Sequence, residues 1–338
     1  MKSMLWQKGL AVACFMNLVG SSVQAAAPAG VVAQVNAQLS ADSGLVSGWM
    51  SDQLKYAVPF NSTSGNVVPS QLKIFGIEFG AEGVVSGTKL DTSALHGLNT
   101  SLVDAKSIDT FSRLPMPMAL GHAKIGLPFG LDAGVRFGGI PKTTQDSGNT
   151  HSVVKNKVVG IDLRKKIIEE GMTKPFGLTL GLSYTHADGS VDIANTYDSL
   201  HATVDDNNGN PHDVSISDGR TTEHADWKTN SVGLQAIIDK KILFITPYLG
   251  ASVNRNSGHV NNSIVTSGTP VVDGTTDTDP NDALLGTGSS RANANKWDVR
   301  ALAGVEFSIL PFLRLGLQGE YAGSKNEAAA LGLRFQFR

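Results

Sequence analysis

Apolar and polar side chains alternate with a period of two through most of the chain, most clearly near its C-terminal end. In residues 297–307 every second side chain is apolar, and Arg300 and Glu306 lie between them. After Pro311 the alternation resumes and continues almost to the last residue. Because successive side chains of a strand point to opposite faces, this period predicts strands with one apolar and one polar face.

The composition of the two faces separates a membrane protein from a soluble one. The polar face carries Arg and Glu, whereas the apolar face is rich in Leu and ends in Phe335 and Phe337. Strands that contact lipid outside and a wet lumen inside have this distribution. The alternation recurs in about ten segments from residue 72 onward. We therefore predict an all-β fold, a closed antiparallel transmembrane β-barrel of about ten strands.

The connections between these segments alternate in length, long after odd-numbered segments and short after even-numbered ones. Outer-membrane barrels have short periplasmic turns and long external loops. The predicted location is therefore the bacterial outer membrane, with both termini periplasmic. A soluble β-protein is the alternative, but it has no reason to sort its loops by length. The longest polar stretches, predicted to be external loops, are 87–112, 141–153, 188–222 and 255–293.

The first residues are typical of an exported protein. Lys2 and Lys8 precede an apolar stretch, and Val23-Gln24-Ala25 resembles a small-x-small cleavage site. We predict a signal peptide over 1–25, a helical segment over 26–65 and the barrel over 66–338. A lipid anchor at Cys14 is the alternative, but the apolar residues continue past this cysteine. Cys14 is the only cysteine, so the mature chain has no disulfide.

An amphipathic helix is predicted over residues 31–57, before the first strand. Its apolar residues recur at helical spacing, and Pro59 is expected to stop it. The helix can plug the lumen, close the periplasmic mouth or lie on the membrane surface. We favour a structural helix packed at the barrel base.

Composition argues against only one class of partner, nucleic acid. The formal net charge is −2 and 17% of residues are charged, which gives no argument for nucleic-acid binding. Membrane lipid is the one partner that the apolar face itself predicts, and no cofactor is expected.

The strand parity predicts which charged residues line the lumen. The bases are nearly equal in number to the acids, so they can pair across strands and fill the lumen, or line a thin channel. Narrow barrels are filled by side chains, which favours pairing. The predicted lumen-lining residues are Glu78, Glu82, Lys124, Asp132, Arg136, Asp162, Arg164, Asp298, Arg300, Glu306, Arg314, Glu320 and Arg334.

Two His-Ala-Asp triplets flank one predicted external loop. They comprise His186 and Asp188 at one end, and His224 and Asp226 at the other. If adjacent strands bring them together at the rim, they can bind a metal or act as a general base. A solvated pair is the simpler interpretation, and we predict neither a catalytic residue nor a metal site.

Five short motifs are distinctive: Gly48-Trp49-Met50, Leu114-Pro115-Met116-Pro117-Met118, Ile125-Gly126-Leu127-Pro128-Phe129-Gly130, Lys174-Pro175-Phe176-Gly177-Leu178 and Lys240-Lys241-Ile242-Leu243-Phe244. With these motifs the chain resembles an uncharacterised family of Bacteroidetes-type envelope proteins that carries a domain of unknown function. The resemblance implies a barrel and supplies no activity. A more general similarity exists to long-chain fatty acid transporters, whose barrels hold an N-terminal plug. The last strand resembles the signal read by the barrel-assembly machinery, although Arg338 follows Phe337.

The function predicted from these features is non-enzymatic. The barrel is expected to be a narrow porin-like passage for small solutes or a structural wall protein. Surface recognition by the long external loops, of a ligand that the sequence does not specify, is the alternative. A hydrolase at the rim, built on the two triplets, is a remote third.

Overall fold

A computed structural model describes residues 30–65, 72–97, 113–171, 174–197, 200–205, 209–276, 284–323 and 325–337. The predicted signal peptide and Cys14 lie outside these ranges. Among the described residues, no helix combines the length and hydrophobicity needed to cross a membrane. The structure contains a helix, α1 (Val31–Thr63), followed by strands β1 (Ile77–Lys89), β2 (Arg113–Leu127), β3 (Leu131–Ser147), β4 (Thr150–Ile168), β5 (Gly177–Tyr197), β6 (Leu200–Asp205), β7 (Pro211–Asp239), β8 (Ile245–Val272), β9 (Thr275–Thr276), β10 (Leu284–Asn293), β11 (Trp297–Leu310), β12 (Leu313–Ala322) and β13 (Asn326–Phe337).

Ten of the described strands close a ring by antiparallel pairing. The order is β1-β2-β3-β4-β5-β7-β8-β11-β12-β13, and β13 pairs with β1 from Ile77–Phe337 to Thr88–Asn326. Closure leaves no unpaired strand edge around the ring, as lipid requires. In β1, Ile77 and Phe79 are exposed while Glu78 is buried, so the apolar face is outside. The predicted transmembrane barrel is confirmed.

The predicted long loops are largely β-structure. The strands β7 and β8 have 29 and 28 residues, whereas about 9–11 residues of a tilted strand cross a bilayer. Pairing between β5 and β7 continues without a break to Tyr197–Gly219. Polar residues begin where the outward side chains leave lipid for water, and backbone pairing does not stop there. The loop predictions for 141–153, 188–222 and 255–293 are therefore wrong over most of their length.

The extensions make the barrel taller on one side than on the other. We define the tall wall as β3, β4, β5, β7, β8 and β10, and the low wall as β11, β12, β13, β1 and β2. Strands of the low wall have only 10 to 15 residues. The strands β10 and β11 pair with successive parts of β8, so β10 prolongs the wall above β11.

The helix α1 lies inside the barrel, not at its base. In its last turns, residues 57–62 are all buried whichever way they point, so the wall surrounds them. Earlier in the helix, Trp49 and Leu54 pack on Trp227 and Ile264 of the tall wall. The prediction of a helix at the barrel base is wrong. The alternative of a helix that plugs the lumen describes its position.

Pro59 does not stop the helix, which continues to Thr63. A proline inside a helix removes one backbone donor. Here the last turn is supported by side-chain bonds to the backbone, since the Thr63 hydroxyl donates to the Pro59 carbonyl at 2.6 Å and the Ser64 hydroxyl to the Phe60 carbonyl at 2.7 Å. The predicted end at residue 57 is therefore six residues early.

The first half of α1 lies along the edge of β10 that has no neighbouring strand. The Asn36 side-chain oxygen accepts from the Leu285 backbone N–H at 2.8 Å, and the Ser40 hydroxyl accepts from the Thr287 N–H at 3.3 Å. These helix residues are four apart and so lie on one face. An unpaired strand edge is a site for aggregation. The helix satisfies this edge with side chains.

This contact places the two ends of the described chain at opposite ends of the barrel. Asn36 lies beside β10 at the long-hairpin end, whereas Phe337 pairs with Ile77 at the short-turn end. The prediction that both termini are periplasmic is not tested, because residues 1–29 and residue 338 lie outside the described ranges. Within the described chain, α1 runs inward from the top of the tall wall.

We predict that Gly288→Ala loosens the helix from the wall. A Cβ at this position would lie 2.1 Å from the Ser43 carbonyl carbon and 2.2 Å from the Gly44 nitrogen, both backbone atoms. Overpacking of this kind costs about 1–3 kcal/mol. Urea unfolding in lipid vesicles, followed by tryptophan fluorescence, measures the loss. Gly316→Ala is the control because nothing lies within 4 Å of its Cβ; equal midpoints for the two variants would contradict tight docking.

Candidate functional site

A connected group of ion pairs occupies the interior beside the low wall. Glu78 of β1 accepts two bonds from Arg334, at 3.0 and 3.1 Å. The Lys124 Nζ and the His122 Nε2 each lie 3.4 Å from a Glu78 oxygen. All four side chains are buried. One carboxylate thus connects three strands of the wall.

Glu306 joins this group from β11. It contacts Arg334 and accepts from the Arg314 Nη1 at 2.5 Å. The strand register places Arg314 and Arg334 directly opposite each other. Like charges in that position destabilise a sheet. Glu306, which is 0% exposed, and Glu78 neutralise this pair. The two carboxylates therefore offset the repulsion between the two arginines.

A second group of charges, nearer the helix, holds its C-terminal end. The last carbonyls of a helix lack intrahelical donors and carry partial negative charge. Arg136 of β3 donates to the Ser62 carbonyl at 2.8 Å, and Arg300 of β11 donates to the Phe60 carbonyl at 3.3 Å. The Glu320 carboxylate accepts from the Gly65 backbone N–H at 2.7 Å. The barrel wall therefore caps a helix that ends inside it.

Arg300 has the most contacts in this second group. Its guanidinium bonds to Asp298 at 2.5 Å and to Glu320 at 3.0 Å, and it lies 4.3 Å from the centre of the Phe60 ring. The Arg300 side chain is among the largest fully buried ones. A buried charge is costly unless it is paired and hydrogen-bonded, and Arg300 is both.

The structure places the predicted lumen-lining residues as follows. Asp298 is half-buried near the upper end of β11, and all the others are buried in the interior. Asp162 pairs with Arg164 at 3.0 Å within β4. The residues that form ion pairs inside the barrel include Glu78, Lys124, Asp162, Arg164, Asp298, Arg300, Glu306, Arg314, Glu320 and Arg334.

The predicted site left out two interior residues of importance. His122 contacts Glu78, and Tyr248 donates to Gln318 at 3.2 Å. Each has the strand parity of a predicted lumen residue, His122 being two residues before Lys124. Strand parity is therefore sufficient to place both residues inside the barrel, although the predicted lumen-lining set contains only Asp, Glu, Lys and Arg.

The two His-Ala-Asp triplets do not meet at the rim. The register pairs His186 with Asn230 and His224 with Asp192, six positions farther along the same ladder. This separation is about 20 Å at the usual rise of a strand. Among the described residues, no group of three or more His, Cys, Asp or Glu side chains is arranged to hold a metal. The rim cluster is therefore wrong as a single site.

Each histidine of the triplets has a local partner on the outer face instead. The His186 Nδ1 lies 2.8 Å from the Asn230 side-chain oxygen. The His224 Nδ1 lies 2.5 Å from Asp192, and its Nε2 lies 3.7 Å from Asp226. Asp188 is exposed, and the ladders place it between Lys157 and Lys228. These are solvated cross-strand contacts, as the simpler interpretation has it.

Glu223 is a buried acid in the part of the tall wall above the membrane. Its neighbours on the outer face, Thr222 and His224, are polar, which excludes lipid contact at this level. Burial raises the pKa of Glu223, and a hydrogen bond of 2.6 Å from the Asn262 amide opposes that rise. The stability of the wall at this level is therefore expected to depend on the protonation of this carboxyl group.

The family comparison agrees with this architecture. The model of a family of unknown function, DUF6588, matches residues 74–337, which includes every strand of the barrel. The chain belongs to this family. The resemblance to an uncharacterised family is thus confirmed, whereas the matches test neither the Bacteroidetes-type origin nor the similarity to fatty acid transporters. No curated protein matches the sequence.

Solved structures that resemble the chain do so distantly. The outer membrane protease OmpT from Escherichia coli aligns at 10% identity over 81% of this chain and 100% of its own, with a TM-score of 0.41. The transport unit of the autotransporter AIDA-I from Escherichia coli aligns at 11% identity over 86% and 99%, with a TM-score of 0.37. Two structures of the attachment invasion locus protein Ail of Yersinia pestis align at 8% and 10% identity over 78% of this chain and 100% of their own, with TM-scores of 0.25 and 0.27. The barrel assignment rests on the strand pairing of the chain itself.

We predict that Glu306→Gln destabilises the barrel by about 3 kcal/mol or more, because it leaves Arg314 buried without its carboxylate. Urea unfolding in vesicles gives the value. The control is Glu327→Gln, since Glu327 pairs with Arg113 at 2.9 Å on an exposed surface. Exposed pairs contribute about 0–1 kcal/mol. A loss no larger than that of the control would show that the interior ion pairs do not support the wall.

We predict that Glu223→Gln stabilises the tall wall at neutral pH and has little effect in acid. Because folding raises the pKa of Glu223, its stabilising contribution is full at low pH and is lost as the pH rises through the folded pKa. Thermal unfolding at pH 4 and pH 7.5 measures both states. A variant that is stabilised equally at the two pH values would rule out titration of this carboxyl as the cause.

Proposed function

We propose that the chain is an outer-membrane barrel with a closed lumen, whose tall wall serves recognition at the cell surface. The main observation behind this proposal is that α1 and the ion pairs occupy the interior, while the tall wall extends far above the lipid-facing band. The exposed apolar belt supports the membrane location, because aliphatic and aromatic side chains cover the ring outside its charged interior. The barrel-assembly machinery remains the partner that we predict for β13.

Two layers of contacts support a closed lumen. Near the short turns, Glu78 and Glu306 join opposing arginines across the low wall. Above them, Arg136 and Arg300 reach from two separate strands to the end of α1. Barrels of about eight strands are filled by side chains, and open channels belong to much larger ones. A ring of ten strands that also contains a helix has little space left for solute.

The outer face of the tall wall supports a recognition role. It is polar and carries short His–Asp pairs, among them His224–Asp192 at 2.5 Å and His151–Asp146 at 2.5 Å. Extended strands of 17 to 29 residues hold these groups on a rigid sheet, which limits the entropy lost on binding. Such a surface suits a hydrophilic polymer such as a glycan. We propose no catalytic step at these pairs.

A narrow passage is the second candidate, and the charged character of the lumen favours it. A passage for small solutes requires polar walls, and the interior of this barrel is lined by both signs of charge. Solute can pass only if α1 leaves the lumen or shifts within it. The passage proposal therefore requires a moving helix, whereas the closed barrel requires a fixed one.

Single-channel recording in a planar bilayer separates these two candidates. We expect no conductance steps from the folded wild-type protein, because the helix and the ion pairs block the lumen. The variant Arg136→Gln/Arg300→Gln removes the two arginines that cap α1, and we expect intermittent openings because the end of the helix is then released. Heat-modifiable migration in gels checks that each sample is folded. Stable steps from the wild type would overturn the closed barrel.

Recognition is tested on a glycan array with liposomes that carry the full-length protein. We expect saturable binding to a subset of glycans, reduced at least about tenfold by His224→Ala/Lys228→Ala on the tall wall. Glu327→Gln on the low wall is the matched control and should bind as the wild type does. Binding no greater than that of protein-free liposomes would contradict recognition of glycans.

A further inference from the structure

A small cationic pocket lies where the top of the low wall meets α1. It has a volume of about 250 Å³ and is lined by Lys55 and Tyr56 of the helix, by Lys296 and Trp297 at the start of β11, and by Lys325 before β13. We call it the rim pocket. It is separate from the His–Asp pairs on the outer face of the tall wall, and its three lysines belong to none of the interior ion pairs described above.

We propose that the rim pocket binds the phosphate monoester of a membrane lipid in the leaflet on the long-hairpin side. The proposal rests on three observations: convergent ammonium groups, a shortage of carboxylates to neutralise them, and a position at the upper border of the lipid-facing band.

Three ammonium groups converge on a single aromatic ring. The Nζ atoms of Lys296, Lys55 and Lys325 lie 4.2, 5.2 and 5.3 Å from the centre of the Tyr56 ring. These lysines come from three separate parts of the chain, so the fold brings them together. The aromatic ring attracts each cation, but the cations repel one another. An anion between them removes that repulsion.

Few carboxylates are available to neutralise these lysines. Lys55 pairs with Asp52 at 2.5 Å on the exposed side of the helix. Asp298 also lines the pocket, but it is held by Arg300 at 2.5 Å. Asp91 attracts Lys325 from a distance, and no described carboxylate lies within 4.0 Å of Lys325 or Lys296. The pocket therefore carries a positive charge that its own residues do not balance.

The pocket opens at the level expected for lipid headgroups. Trp297 is 61% exposed and points outward, two residues before the outward-facing Val299, which is 64% exposed. Tyr321 on β12 lies opposite Ala301, also on the outer face, and is 54% exposed. Tryptophan and tyrosine mark the border between lipid tails and headgroups. A lipid whose acyl chains lie against Val299 thus has its headgroup beside the lysines.

The charge pattern also selects among headgroups. A phosphate monoester carries up to two negative charges and several acceptor oxygens, which suits a group of lysines. An ethanolamine or choline headgroup would place a further cation beside three others. Trp297, with Arg255 5.6 Å from its ring, offers a flat face for the sugar of a phosphorylated glycolipid. The ligand class is therefore an anionic phospholipid or glycolipid with a terminal phosphate.

Native mass spectrometry of the full-length protein, released from nanodiscs, tests the proposal. The nanodiscs contain phosphatidylcholine with or without bisphosphorylated lipid A. We expect the wild type to retain one lipid A molecule, and Lys55→Gln/Lys296→Gln/Lys325→Gln to reduce retention roughly tenfold. The matched control, Lys142→Gln/Lys155→Gln/Lys157→Gln, removes three exposed lysines from the tall wall and should retain lipid as the wild type does.

Each outcome decides the proposal. Equal retention by the two triple variants would overturn it, because the rim lysines would then have no special role. Inorganic phosphate distinguishes the source of the ligand: if it binds the detergent-solubilised protein as tightly as lipid A does, the site is for a free anion and not for a lipid. If the triple variant fails to fold, the single variant Lys296→Gln gives the comparison, with an expected reduction of about twofold to fivefold. Neither the conductance recordings nor the glycan array depends on this pocket.

Discussion

The structure depends on the backbone pairing that joins β13 to β1. A membrane offers no water to an unpaired N–H or carbonyl group, so a sheet can exist there only if its two edges meet. That closure fixes an inside and an outside for every strand. Arginines and glutamates then occupy the inner positions, where they must be neutralised at close range, and leucines and phenylalanines occupy the outer ones. The interior ion pairs are therefore a consequence of closure, because charged side chains in a narrow ring find their partners among one another, the neighbouring polar side chains and α1.

Above the lipid, water can bond to unpaired backbone groups, so a sheet can have free edges there. The tall wall is an extension of part of the ring, so it has free edges where the ring has none. The helix covers one of them, with Asn36 and Ser40 in place of a neighbouring strand. The other edge, at the top of β3, contains Pro141 and Lys142 beside a bulge in the pairing with β4. Proline, lysine and bulges all discourage the pairing of an edge with another chain. One edge is covered, and the other is protected by its own residues.

The sequence predicts the ring well because a period of two is a local signal. Glu78 between Ile77 and Phe79 is enough to assign an inner and an outer face, and the same holds for all ten strands of the ring. The extent of the strands was not predictable in this way. At His224 or Asn261 the outer face meets water, so the apolar half of the alternation is lost although pairing persists. The position of α1 was not predictable either, because the helix serines that bond to β10 are of a residue type that is also common on a solvent-exposed face. The end of the helix was predicted too early for a related reason. The Thr63 and Ser64 hydroxyls support the turn around Pro59, and nothing in the sequence pattern marks them as bonded to the backbone.

The position of α1 has a consequence for assembly. Asn36 bonds to Leu285, 249 positions away in the chain, so the helix can dock only after almost the whole protein has been delivered to the membrane. The start of the helix also lies on the far side of the lipid from Phe337. The process that carries the hairpins across the bilayer is therefore expected to carry a segment that precedes the first strand as well. We expect the biogenesis of this protein to include the passage of a helix through, or together with, the ring that encloses it.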